Sequence, residues 1–126
     1  MAVKYVTVTK GNPRDLEEPR KWYAITKNSG TVGIKTMDKA IARTSGVDYG
    51  DTKLVLKTLT KVLGEYLAEG KIIRMGSLGS FQIRIKGGGA TNKEQLDASW
   101  IKTKQIVFRP GRDMKKLLKE LVVEKA

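Results

Sequence analysis

The sequence predicts an α+β fold. Three observations point to it. Residues 3–9 and 71–109 carry β-branched and aromatic residues at a period of two. Residues 36–70 instead repeat apolar positions at spacings of three and four. A last stripe, Met114, Leu117, Leu118 and Leu121, has the i, i+3, i+4, i+7 spacing of one helix face. The predicted order is hairpin, helix, helix, three strands, helix.

Val3 to Thr9 reads as the first strand, followed by a turn cluster at Lys10 to Asp15 and a polar loop through Pro19. Trp22 to Thr26 reads as a second strand, closed by Asn28-Ser29-Gly30. Thr36 is expected to cap the next helix with its hydroxyl, with Asp38 in the first turn beside the positive end of the helix dipole. Met37, Ala40 and Ile41 would form its apolar stripe, and Gly46 would end it. Asp48 is expected to cap a longer helix in which Leu56, Leu59, Leu63, Tyr66 and Leu67 line one side and Val55 and Val62 widen the stripe. Gly70 closes that helix. Lys71 to Met75 reads as a strand, Gly76 to Gly79 as a tight turn whose glycines suit positive φ, and Ser80 onward as the next strand. There Phe81, Ile83 and Ile85 share one face, and Gln82, Arg84 and Lys86 the other. Ile101 to Arg109 is the third strand of this group, with Ile106 and Phe108 opposite in sense to Gln105, Val107 and Arg109. Pro110-Gly111 breaks it, and Arg112 to Val122 is expected as the final helix.

The 126-residue length suits one domain with a modest core. A net charge of +12 costs stability by self-repulsion and points to a polyanionic partner. The charge is concentrated: from Lys71 to Lys119 there are twelve Lys/Arg against three acids. With no cysteine there are no disulfides and no thiolate metal sites, and with no histidine the commonest general base and metal ligand is missing. No acid–base pair stands out among the carboxylates, so no enzymatic activity, no cofactor, no metal and no small-molecule substrate are expected. No apolar run nears a membrane span, and Met1 to Tyr5 does not open a signal peptide. A cytoplasmic protein without a membrane partner is expected.

Residues 87–100 link the last two strands. Gly87-Gly88-Gly89 opens the segment and the rest is mostly polar. Arg84 and Lys86 flank it on one side, Lys102 and Lys104 on the other. Two antiparallel strands that outrun their core would form a cationic ribbon able to enter a DNA groove or follow its phosphates.

From about Ile34 to Leu121 the chain resembles the bacterial histone-like HU/IHF family of DNA-architectural proteins. The likeness rests on the two-helix start with Ser45-Gly46-Val47, on Leu67-Ala68-Glu69-Gly70-Lys71-Ile72, on Gly76-Ser77-Leu78-Gly79-Ser80-Phe81-Gln82-Ile83-Arg84 (similar to the family's G-F-G-T-F-x-x-R), and on Phe108-Arg109-Pro110-Gly111-Arg112 (similar to F-x-P-G-K). The resemblance implies an intertwined homodimer with a helical base, a sheet saddle and two β-ribbon arms that embrace and bend duplex DNA in the nucleoid. Residues 1–33 would be an N-terminal β-hairpin extension. Residues 34–126 would be the HU-like DNA-binding domain, with its arm at about 84–104. Pairing two chains would bury Leu56, Leu59, Leu63, Phe81 and Phe108 together. The family's arm carries an R-x-G-R-N-P-x-T-G pattern whose proline wedges between base pairs. Lys86 to Trp100 has neither proline nor arginine. Trp100 and Leu96 are the apolar wedge candidates, with Trp100 expected at the arm's root.

The expected DNA contacts are mainly to phosphates. Arg84, Arg109 and Arg112 would line the saddle. Arg74, Lys86, Lys102 and Lys104 would add to them, with Lys93 in the arm and Lys115 on the last helix. Backbone N–H groups at Gly76, Ser77 and Gly79 would cradle a phosphate. No residue set is suited to reading base edges. The alternatives are an RNA-binding or ribosome-associated basic protein of the same size and charge, and an interaction module presenting the hairpin's edge strand.

Overall fold

The computed structural model describes residues 2–126; Met1, where the expected extension begins, lies outside them. The chain begins with β1 (Val3–Lys10) and β2 (Lys21–Lys27), paired antiparallel from Lys4↔Lys27 to Lys10↔Lys21. The ten residues between them are held by short contacts. The Asn12 side chain accepts from the Arg14 N–H at 2.9 Å and donates to Glu18 Oε2 at 2.7 Å, and Arg20 donates to the Thr9 carbonyl at 3.1 Å.

Helix α1 (Ile34–Ser45) starts two residues before the expected Thr36 cap. Gly33 is the cap, in extended conformation, and it offers no side-chain oxygen; its carbonyl accepts the first helical bond from Met37 at 3.1 Å. Thr36 therefore lies inside the helix. Asp38 lies beyond its first turn, where it is buried (3% exposed) with Oδ1 unpartnered. Gly46 ends the helix as expected, at φ 78° with its N–H on the Ala42 carbonyl. Asp48 then caps α2 (Tyr49–Ala68), its carboxylate accepting from Gly50 at 2.9 Å and Asp51 at 3.4 Å. At the far end Gly70 takes φ 79° and Lys71 donates to the Tyr66 carbonyl at 3.2 Å.

That closure explains why the expected strand Lys71–Met75 shrinks to β3 (Ile73–Arg74). Lys71 is spent on the helix end, and Met75 donates to the Gly79 carbonyl at 2.8 Å within the next turn. Strand β4 (Gly79–Gly87) and β5 (Ile101–Pro110) form the long ladder of the second sheet, in the order β3-β4-β5. Helix α3 (Arg112–Glu120) is shorter than expected. The chain leaves it at Leu121, and Val123–Lys125 become β6, parallel to β1 in a sheet ordered β2-β1-β6. Val3 donates to the Val122 carbonyl and Ala126 to the Tyr5 carbonyl, both at 2.9 Å. The open edge of β1 thus draws the β-branched pair Val122-Val123 out of helix and into the ladder.

The segment between β4 and β5 is folded rather than trailing. Asn92 and Asp97 each cap a 3₁₀ turn, Lys93–Gln95 and Ala98–Trp100. The Ser99 hydroxyl and N–H both donate to Asp97, which holds its carboxyl below the usual carboxylate range. Trp100 lies over Gly88, sharing a depression with Ile85, Leu96 and Ile101, as expected for the arm's root. A Cβ on Gly87 would overlap the Trp100 carbonyl, so only glycine fits there.

Little of the apolar surface is covered. Leu67, at 7% exposed, is the buried hydrophobic side chain among the described residues, while Leu54 and Ile106 are 63% and 65% exposed. The accessible surface is 11085 Å², against roughly 6,700 Å² for a monomeric folded chain of this mass. Half-buried Leu56, Leu59 and Leu63 lie along α2, and the Phe81 and Phe108 rings meet at 5.1 Å between centroids.

Two substitutions test this packing. Asp48→Ala should lower unfolding stability by about 1 kcal/mol through loss of the α2 cap, read from denaturant midpoints at constant m-value; an unchanged midpoint would show the cap to be idle. In a Trp22→Phe background, Gly87→Ala should shift Trp100 emission to the red as the arm's root is pushed open. Emission unchanged from the parent would contradict the close approach.

Candidate nucleic-acid interface

The register of the β3-β4-β5 sheet sorts its side chains. Residues directly opposed in an antiparallel pair share a face. Ile73, Phe81 and Phe108 are aligned across the three strands, and Ile83 faces Ile106. The other face aligns Arg74 with Ser80 and Arg109, then Gln82 with Val107, Arg84 with Gln105, and Lys86 with Thr103. One side is an apolar surface partly covered by α2. The other carries Arg74, Arg84, Lys86 and Arg109 in a row, all exposed.

Lys104 and Lys102 do not join that row. Lys104 lies opposite Ile85 on the apolar face, beyond the aromatic pair. Lys102 has no cross-strand partner, because the register shifts at Lys86/Gly87 and leaves it as the extra residue of a bulge. Lys93 lies in the first 3₁₀ turn between Asn92 and Glu94, away from the row.

A second group forms where α3 begins. Gly76 and Gly79 take φ 55° and 147°, and the turn they bracket is stitched to the start of α3. Gly111 donates to the Leu78 carbonyl at 2.9 Å and Asp113 to the Ser77 carbonyl at 3.3 Å. The approach is close enough that a Cβ on Gly111 would lie 2.6 Å from the Ser77 carbonyl. Within the turn the Leu78 N–H is already spent on the Met75 carbonyl at 3.2 Å. Gly79 also lies under the Phe108 ring, where a Cβ would reach the ring at 2.6 Å. This stitching brings Gly76, Ser77 and Gly79 beside Arg112 in the first turn of α3. The Arg112 guanidinium is 90% exposed and only loosely paired with Asp113 at 3.9 Å, a contact that contributes little in water.

Sequence reasoning left four neighbours out of the candidate site. Lys116 and Lys119 line one depression with Arg112 and Lys115. Their i, i+3, i+4, i+7 spacing is the signal that would have found them, since it puts all four on the helix face opposite Met114, Leu117 and Leu118. Gln82 and Gln105 lie among the arginines, as period-two alternation along each strand also indicates. Among the described residues no cluster of three or more carboxylates could hold a metal ion, and no helix is long and apolar enough to cross a membrane.

Known proteins resemble the chain in sequence and in fold. The chain is 26% identical over 87 residues to DNA-binding protein HU of Thermotoga maritima, a match covering 68% of this chain and 97% of that protein. A crystal structure from Bacteroides vulgatus ATCC 8482 shares the fold, with a TM-score of 0.68 at 15% identity. That match covers 98% of this chain, which spans about half (48%) of the length of the solved one. Residues 1–125 match the family HU-HIG, described as an HU domain fused to wHTH, Ig, or Glycine-rich motif, and the chain belongs to that family.

Proposed function

We propose that the protein binds duplex DNA through its phosphates with little sequence preference, bends it as a homodimer, and serves as a nucleoid-architectural protein rather than an enzyme. The observation that carries this reading is the one-sidedness of the β3-β4-β5 sheet. Arg74, Arg84, Lys86 and Arg109 occupy one face, and the Arg112 group lies at the head of the adjacent helix. A row of exposed Arg and Lys side chains along one sheet face suits phosphates, the contacts that dominate sequence-independent binding.

The exposed apolar residues of the other face support the dimer. Ile83, Ile106 and Phe108 remain exposed in a single chain, and so do Leu54 and Val55 on α2. The surface in excess of the monomer expectation is large enough for an obligate interface. The Thermotoga relative is named a DNA-binding protein, which supports the same partner here. With no proline in the arm, and Trp100 held over Gly88, Leu96 is the exposed apolar side chain nearest to playing a wedge.

In solution a particle of twice the 14.0 kDa chain mass is expected at micromolar concentration, read by sedimentation equilibrium. A stable monomer would remove the interface. With about six phosphates neutralised, the slope of log affinity against log salt is expected near −5. Arg84→Ala or Arg112→Ala should weaken all duplexes alike and reduce that slope by about one per protomer, hence about two for the dimer. Loss confined to one sequence, or tighter binding to structured RNA than to duplex DNA, would assign the surface another ligand.

A further inference from the structure

Beyond the saddle, a second lysine-bearing surface is set by the β1–β2 register. It aligns Lys4 with Lys27, Val6 with Ile25, Val8 with Tyr23 and Lys10 with Lys21, so these eight residues share one face. Two lysine pairs lie at its ends, about 20 Å apart at the usual strand rise. All four lysines are exposed. Among the described residues the salt bridges are Lys71–Glu69 and Arg112–Asp113, so none of the four is ion-paired. Glu124, opposite Lys4 on β6, is the acid that shares this face. Asp15, Glu17 and Glu18 lie in the loop beyond its Lys10 end, where Glu18 is bonded to Asn12.

The occupant can be chosen on chemistry. Two copies of the same face would oppose four lysines with four lysines across a two-fold, which disfavours self-pairing. Unpaired bases need an open aromatic ring on which to stack. Tyr23 already has the Lys10 ammonium over its ring at 5.6 Å, and exposed Trp22 belongs to the opposite face. A duplex presents about a dozen phosphates over 20 Å, enough to serve both lysine pairs. The sheet is also tied by β6 directly to α3, whose Arg112, Lys115, Lys116 and Lys119 share one face. Only Leu121 and Val122 separate that cationic helix from the sheet.

We infer that the face of the β2-β1-β6 sheet bearing Lys4, Lys10, Lys21 and Lys27 is a second phosphate-binding surface for duplex DNA, an inference that rests on the duplex binding proposed above. It would extend the contact without adding sequence preference. The test uses the full chain and a 40-base-pair duplex, with affinity measured across salt concentrations. Changing all four lysines to alanine should reduce the salt slope by about three for each protomer whose hairpin meets the duplex, and weaken binding at least about tenfold near 0.1 M salt. Changing all four to arginine should leave both near the parent's values, and thermal melting of each variant verifies folding. If the parent binds and the alanine variant matches it in slope and affinity, this inference falls while the saddle reading stands. It falls as well if affinity drops with no change of slope, or if the arginine variant is as weak as the alanine one, since the lysines would then serve packing. Failure of the parent itself to bind duplex DNA would instead overturn the proposed function.

Discussion

The β4–β5 ladder is the constraint from which the rest of the molecule follows. Because side chains alternate at a period of two, a single register decides at once which residues turn toward α2 and which turn away. With Phe81 opposite Phe108, the isoleucines fall on the helix side and Arg74, Arg84, Lys86 and Arg109 fall on the other. A slip of one residue would put the arginines against α2 and the aromatics in water. Two glycines pin the register at its base: Gly79 admits the Phe108 ring, and Gly111 lets the Gly76–Gly79 turn hydrogen-bond to the head of α3.

Much of this was legible in the amino-acid order because the interactions are local. Asp48 and the glycines at 46 and 70 act on residues within four positions of themselves, so their roles as helix stops and starts can be read directly. The alternation of Gln82, Arg84 and Lys86 against Phe81, Ile83 and Ile85 is equally local. What was hidden depends on distant partners or on backbone alone. The β6 strand exists only because β1, more than a hundred residues earlier, offers an open edge. Gly33 caps α1 without a side chain, which left Thr36 as the more visible signal. The bulge that strands Lys102, and the register that turns Lys104 toward Ile85, appear only once two strands are aligned.

The arm shows how a polar, glycine-led segment can still be built. Asn92 and Asp97 supply side-chain caps to two short turns, and Trp100 closes back over Gly88. The ribbon therefore ends in a compact tip where Lys93 is followed in sequence by two acids, Glu94 and Asp97, while its other cations lie toward its base. Its positive charge is thus concentrated on the paired strands rather than at the tip.

The central claim is a division of labour between two faces of one sheet, and the absence of cysteine from the chain allows a direct test. Gln105→Cys and Ile106→Cys, adjacent residues on opposite faces, can be compared for thiol labelling rate with and without duplex DNA. The cysteine at 106 is expected to be protected in the protein alone, by the partner chain, and the one at 105 to react freely until duplex is added. Equal labelling of both, unaffected by DNA, would contradict it.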